Sequence, residues 1–506
     1  MEKTRREFLK TTGLGISLIA TSRLWSNNLF AALTLEKGNN MNEEYFGFTK
    51  EDLKKLLAFG LSKGADLSEL YFEHTIANSV TMSEDIIKSS SQDIALGVGT
   101  RVIHGNQTGY AFTNELTFES IKNAMLTAAS IAKSKPKIIK ANLEQLTTKS
   151  KIYDLSTPFA HANLQDKIEL IKTAYNTALK YDSRIQKVSV SLLDNLQQIT
   201  IANSDGLIIS DTRPQMRIGI SVTAEDKGKR GTSFASEGGR FGMDFKNAKT
   251  PQQVAETAAS EALILLEAEN PPTGEQIVVL SKDQSGVMIH EAVGHPLEAD
   301  ANWKKQSIMW DKMNQMVSKP FVTIYDDATI PYYRGSLAID DEGTITENVL
   351  LIENGKLVGF MNDRLSAKIM NTKPNGHGRR ESYKHIPIPR MNNTILAQGE
   401  HDPEEIIKSV KKGFYAVSYQ GGQVSNTGKF TFSCNLGYLI EDGKLTKPLK
   451  NATLIGTNVQ ILNEISMIGN DIGFFLGTCG KEGQSVPVTC GTPTLKIDKM
   501  TVGGAI

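Results

Sequence analysis

The chain of 506 residues has room for two to four domains with full cores at roughly 100–200 residues each, which excludes a small scaffold held together by disulfides. Its 56 Lys and Arg balance 56 Asp and Glu, giving a formal charge of zero and a pI near 7.1, so no whole-chain field draws it to nucleic acid or to an anionic membrane. The three cysteines, Cys434, Cys479 and Cys490, are too few for a disulfide framework but enough for one bridge, one metal ligand or neither.

Residues 1–40 read as an address. A basic start at Lys3, Arg5, Arg6 and Lys10 precedes the modestly apolar stretch Thr11 to Ser22, and small residues follow at Ala31 and Ala32. That apolar run is about a dozen residues, short of the roughly 20 that span a bilayer, so no stable membrane anchor is expected. The segment from Thr4 to Lys10, Thr-Arg-Arg-Glu-Phe-Leu-Lys, resembles the twin-arginine export signal. It implies a periplasmic or exported protein, the alternative being a cytoplasmic chain with a basic terminus.

Residues 41–272 read as an α+β domain, with a possible sub-boundary near 133–160. A helix is expected over Lys50 to Lys63, β-rich segments over Leu70 to Met82 and Ile94 to His104, and a helix over Phe118 to Ala132. The Lys-rich run 133–140 contains Pro136 and reads as a solvated connector, not a nucleic-acid patch. A second helix is expected over Asn163 to Tyr181, three strands over Ile185 to Ala224 with a hairpin turn at Asn203 to Gly206, and a helix over Pro251 to Ala268. Pro271 and Pro272 mark the domain boundary. Residues 273–506 then read as a β-rich domain punctuated by turns such as Asn354-Gly355 and Asp442-Gly443. The fold class is therefore α+β, a two-part chain.

The chemistry is concentrated in one segment. After a strand at Gln276 to Leu280, a short helix is expected over Asp283 to Gly294, with Ser281 and Gln284 as a capping box and Pro296 as its stop. Inside it stands His290-Glu-Ala-Val-Gly-His295. Histidines four apart share one face of a helix, whereas five apart they diverge by about 140°. If both are to meet one metal ion, the helix must end or bulge between them. Gly294 and Pro296 supply the means, swinging His295 out of the α region. Two imidazoles leave a zinc site one ligand short, with Glu298, Asp300 and the cysteines as candidates.

This segment resembles the TldD/PmbA family of metallopeptidases. So do Gly335 to Gly343, Asn375 to Tyr383, Pro389 to Thr394, Gly421 to Val424, Gly477 to Pro487 and Thr501 to Gly504. The resemblance implies a C-terminal metallopeptidase domain that cleaves unfolded or short peptides. It also implies one Zn2+ per active subunit, held by His290, His295 and Cys479, and a homodimer or a heterodimer with a motif-less paralogue. Pro296 departs from the family, which often has Gly there. Glu291, beside the first ligand, is then the general base for water attack. His377, Arg379, Arg380, Tyr383 and His385 are candidates for holding the substrate backbone or the developing oxyanion, or for structural pairs. Glu298 and Asp300 are candidates for orienting the ligands or for ordinary helix-terminal acids. Two other readings are a non-catalytic peptide-binding or assembly subunit and an oxidoreductase; the intact motif argues against the first and the missing dinucleotide fingerprint against the second.

Overall fold

In the computed structural model the described residues are 45–504, apart from 140, 148–151, 154, 156–158, 246–247 and 426–427. The export-signal expectation at 4–10 lies outside them. At the start, Tyr45 and Phe48 pair across a tight turn made by Phe46 and Gly47, both at positive φ.

Strands hold 47% of the described residues and helices 22%, a mixed α/β fold in which pairing between distant segments dominates. A seven-stranded sheet is built from β1 (Leu67–Ser83), β2 (Ile86–His104), β3 (Gln107–Thr113), β4 (Glu144–Leu146), β5 (Ile185–Asn203), β6 (Leu207–Asp226) and β7 (Lys229–Gly239). Its order is β3-β2-β1-β5-β6-β4, with β7 also on β6. The expected three strands over Ile185 to Ala224 are instead two long ones joined at Asn203 to Gly206. The reason is local: Asn203 Oδ1 accepts from the backbone of Asp205 and Leu207 and closes a single turn, and Pro214 is accommodated without breaking β6.

The helices are α1 (Lys50–Leu61), α2 (Phe118–Ala128), α3 (Leu164–Leu179) and α4 (Pro251–Glu267). Asn163 caps α3, and Thr250 with Gln253 forms a reciprocal capping box on α4, satisfying backbone donors that a helix start leaves orphaned. Ile171, Ala174 and Ala178 of α3, with Val254, Ala258 and Ala262 of α4, bury one face of β5 to β7. The other face carries Tyr71, Ile199, Ile201 and Ile209, and it is covered by Ile339 and Tyr383 from the second half of the chain.

That second half builds a ten-stranded sheet. Its strands are β8 (Gly274–Leu280), β9 (Ile324–Asp327), β10 (Asn348–Glu353), β11 (Lys356–Leu357), β14 (Asn393–Leu396), β15 (Lys412–Val424), β16 (Lys429–Glu441), β17 (Lys444–Thr457), β18 (Ile465–Lys481) and β19 (Gln484–Gly503); a separate pair is β12 (Gly378–Arg379) with β13 (Ile388–Pro389). Because β8 pairs with both β15 and β19, the path β19-β17-β16-β15-β8 closes on itself. The turns fit the two-residue hairpin rule, with positive φ at Asn354-Gly355, Asp442-Gly443 and Glu482-Gly483.

The two sheets meet along a seam of buried ion pairs. Arg101 lies 2.8 Å from Glu69 and 2.5 Å from Glu342, Arg380 lies 2.8 Å from Glu69, and Arg213 bridges Asp211 at 2.9 Å and Asp341 at 2.5 Å. All of these side chains are buried. Asp341, Glu342 and Arg380 are therefore joints between the halves.

Candidate metal centre

The segment after β8 starts as a helix, α5 (Gly286–Ile289), then widens into one π-helical turn at His290–Gly294 and tightens at His295–Leu297. The expected capping box does not form. Ser281 Oγ instead reaches the Lys282 and Val417 carbonyls, and Gln284 accepts from the Tyr419 amide, because β15 lies alongside. Nor does His295 leave the α region: Gly294 and His295 both keep helical dihedrals. What changes is the closure, since His295 N donates to His290 O. An i→i+5 bond stacks residues five apart as an α-helix stacks residues four apart. The imidazoles consequently face each other, with ring centroids 5.0 Å apart.

The bulge is locked by packing. Met288, Ile289, Ala292, Val293 and Leu297 are all buried in the core of the ten-stranded sheet. A Cβ on Gly294 would lie 1.9 Å from Met391 Sδ, so any larger residue there must push Met391 aside.

Cys479 arrives from β18, opposite Val486 of β19. Ligand atoms of His290, His295 and Cys479 all lie within 4.8 Å of one another, and Cys479 Sγ is 3.4 Å from His295 Nε2. Zinc binds nitrogen at about 2.0–2.1 Å and sulfur at about 2.3 Å, which in a tetrahedron separates ligand atoms by roughly 3.3–3.8 Å. The donor set and its spacing fit that ion. His290 Nδ1 is moreover buried without a hydrogen-bond partner. All three cysteines are free and buried, so no Cys479–Cys490 bridge competes.

Charge supports the cluster. Burial disfavours a charged His295, but the Glu298 carboxylate and the Cys479 sulfur outweigh it and lift its pKa to about 9. Burial likewise opposes a thiolate at Cys479, yet the imidazoles of His290 and His295 pull its pKa to about 4. Glu291 is raised above the usual carboxylate range, chiefly by burial; its Oε2 stands 3.9 Å from His295 Nε2.

Glu298 is the hub behind the cluster. Its Oε2 takes His295 Nδ1 at 3.0 Å and Lys481 Nζ at 3.1 Å, leaving Nε2 of His295 free to face the centre. Burial would raise the Glu298 pKa; Lys481, His295 and Arg390 instead hold it down at about 2. Lys481 is also bound to Asp300 at 2.6 Å and to the Pro389 carbonyl at 3.1 Å. Arg390 donates to the Cys479 carbonyl and stands 3.8 Å from Glu298, so one fully buried guanidinium spans the backbone of one candidate ligand and the orienting partner of another. Sequence reasoning missed Arg390 and Lys481. The available signals were the place of Lys481 two residues after Cys479 on the same strand face and of Arg390 beside Pro389.

The cluster opens on a cavity of about 710 Å³ lined by His290, Glu291, His295, Cys479 and Lys481. None of the five candidate substrate residues lines it. His377 is fully buried, bonded to Asp326 at 3.1 Å. Arg379 donates to the Met391 and Pro487 carbonyls, and Arg380 belongs to the seam with Glu69. Tyr383 packs against Gly97, and its amide reaches Glu73 at 2.6 Å; His385 pairs with Ser382 at 3.0 Å. Their contacts lie within the second half or across the seam to the first sheet, away from the cavity.

A mixed α/β chain that buries two imidazoles and a thiol around one point, with a carboxylate at the cavity wall, has the make-up of a metal-dependent hydrolase. Comparison with known proteins narrows this. The PmbA/TldA metallopeptidase C-terminal domain matches residues 273–504, the central domain 157–266 and domain 1 residues 68–132. The chain is 40% identical over 451 residues, 87% of this chain and 94% of the other, to the metalloprotease TldD homolog of Haemophilus influenzae. It is 29% identical over 445 residues, 88% of this chain and 98% of the other, to the zinc metalloprotease TldD homolog of Saccharolobus solfataricus. Among solved structures, TldE from Thermococcus kodakarensis shares the fold with a TM-score of 0.70 at 18% identity, covering 90% of this chain and 100% of that one. The chain belongs to the PmbA/TldA metallopeptidase family.

Proposed function

We propose that this protein is a zinc-dependent peptidase in which His290, His295 and Cys479 hold the ion and Glu291 moves the proton. The observation that carries the reading is the convergence of two imidazoles and a thiol within 4.8 Å, made possible by the π-helical turn. A bound zinc would supply Lewis acidity, polarising the scissile carbonyl and making water a nucleophile at neutral pH. Glu291 takes a proton from the attacking water and returns it to the leaving amine; its raised pKa suits a group that must both accept and release. Glu298 fixes the His295 tautomer, and Arg390 holds the Cys479 arm.

Short or unfolded peptides are the proposed substrates. Along Gly421–Val424, which line the cavity, β15 pairs among the described residues only with β16, and β8 covers its other edge at Gly413–Ala416. An exposed strand edge offers backbone donors and acceptors to an extended peptide of any sequence. The metal chemistry is assigned to residues 273–506. A dimer, of identical chains or with a motif-less paralogue, completes the proposal and is read by light scattering; the TldE fold likeness supports looking for the second kind. Export through residues 4–10 is tested by fractionation after Arg5→Lys and Arg6→Lys together: wild type is expected in the periplasm and the variant in the cytoplasm.

The experiment for the activity is metal analysis of purified protein with a peptide-library digest of wild type and Glu291→Gln. Stoichiometric zinc in both, with hydrolysis by the wild type alone, is expected. Full activity of the variant overturns the role of Glu291, and absence of zinc from wild type overturns the metal reading.

A further inference from the structure

Next to the metal cavity lies a larger one of about 1230 Å³, and the two share a wall that includes Arg217 of β6, Gly421 of β15 and Phe475 of β18. The guanidinium of Arg217 is stacked 5.8 Å from the centroid of the Phe234 ring, and it donates to Ser236 Oγ at 3.2 Å. Among the described residues no carboxylate pairs with it, and burial alone pushes its pKa down.

The contrast within the same molecule is informative. Arg101, Arg213 and Arg380, buried at the seam, each have a carboxylate within 2.5–2.9 Å. A half-buried arginine left without one faces either solvent or a ligand. Arg334 repeats the situation: it donates to Gly477 O at 3.1 Å and Thr478 Oγ1 at 3.3 Å, the two residues before Cys479, again with no acid among the described residues. Burial lowers its pKa to about 9, and the like charges of Arg217, Arg240 and Arg379 add to the fall. Uncompensated guanidinium groups thus gather beside the arm that carries Cys479. Planar guanidinium pairs best with a carboxylate, and a water-poor cleft strengthens that pair.

We propose that Arg217, supported by the charge of Arg334, is a specificity subsite that binds a carboxylate of the substrate peptide. The ligand is either the α-carboxylate of the chain end or an Asp or Glu side chain near the scissile bond. This rests on the peptidase reading above. A sphere of 710 Å³ is about 11 Å across, and an extended peptide advances roughly 3.3–3.6 Å per residue. The recognised carboxylate therefore lies about one to three residues from the bond that is cut.

The test uses the full chain loaded with zinc and an N-acetylated hexapeptide in three forms: free acid, C-terminal amide, and amide with an Asp placed in turn at each of its last three positions. For wild type, kcat/KM for a carboxylate-bearing form should exceed that for the neutral amide by about 10- to 100-fold. The free acid identifies the chain end, and the Asp series identifies a side chain. In Arg217→Gln that ratio should collapse through KM with kcat little moved, and Arg217→Lys should keep part of it. Binding of the same peptides to Glu291→Gln, followed by fluorescence anisotropy, reads the preference without hydrolysis. If peptides bind there with the carboxylate preference but wild type cuts none, the subsite stands and the peptidase reading falls. Equal affinity for acid, Asp-bearing and neutral peptides overturns the subsite, as does an Arg217→Gln protein that keeps the wild-type ratio. Should Arg217→Gln not fold, the wild-type ratio decides alone.

Discussion

Replacing Glu298 by Gln is the sharpest probe of the metal centre, because the change is nearly isosteric and its partners are known. The carboxylate binds His295 Nδ1 at 3.0 Å and Lys481 at 3.1 Å, with Arg390 at 3.8 Å. An amide whose oxygen replaces Oε2 can still accept from His295 and Lys481, but it lacks the charge that holds these cations and turns an N–H toward Arg390. Lys481 keeps Asp300, so the fold should survive. Loss of a partner that orients a metal-bound histidine costs about 10- to 100-fold in affinity, or about 1.4–2.8 kcal/mol. The pH dependence has a definite sign. The carboxylate raises the His295 pKa to about 9, so below pH 9 the wild type must lose a proton before binding, and the variant loses it more easily. The affinity deficit of Glu298→Gln should thus be larger at pH 9 than at pH 7. Competition titration against a zinc-selective dye at both values measures it. Equal affinity of the two proteins at both pH values would refute the argument.

Four further perturbations follow from the structure. Zinc added to metal-free protein at pH 7 should release protons, because His295, with its pKa near 9, must give one up to bind, while Cys479, with its pKa near 4, is already a thiolate. The His295 contribution to metal-free stability is present below its ordinary pKa and lost as pH rises through about 9, while that of Cys479 is lost as pH falls through about 4; calorimetry in buffers of different ionisation enthalpy and a melting series record both. Gly294→Ala drives a methyl into Met391, which should cost about 1–3 kcal/mol and weaken zinc binding, as read by urea unfolding and metal content. Arg101→Ala leaves Glu342 buried without its cation and Glu69 with Arg380 alone, and should cost about 3–5 kcal/mol. Cys479→Ala should abolish stoichiometric zinc while Cys434→Ala leaves it intact.

Local signals were readable from the chain. Helices expected from Asn163 and from Pro251 form where the chain announced them, Asn-Gly and Asp-Gly pairs marked hairpins, and the five-residue spacing of His290 and His295 demanded a distortion, which is a π-helical turn. Its mechanism was not readable. Gly294 and Pro296 suggested a departure from helical dihedrals, whereas the backbone stays helical and the hydrogen bond lengthens its span. The segment from His377 to His385 looked like a substrate grip because its polar groups are dense. Its partners, such as Glu69 for Arg380 and Asp326 for His377, lie far away in sequence, and no local spacing reveals a pairing across 311 residues. The same holds for Glu298, whose neighbours Lys481 and Arg390 come from other strands.

The seam of arginines and acids between the two sheets has a consequence for how the protein responds to its surroundings. Exposed ion pairs fade as salt rises, since charges further apart than about 8 Å are screened at physiological ionic strength. Arg101, Glu69, Glu342, Arg213, Asp341 and Arg380 are closed off from solvent and in direct contact, so dissolved ions do not reach between them. Walls of the larger cavity come from β6 and β7 on one side and from β15 and β18 on the other. A brine that loosens surface charge should leave the width of that cleft unchanged, and the two sheets should melt together as one cooperative body.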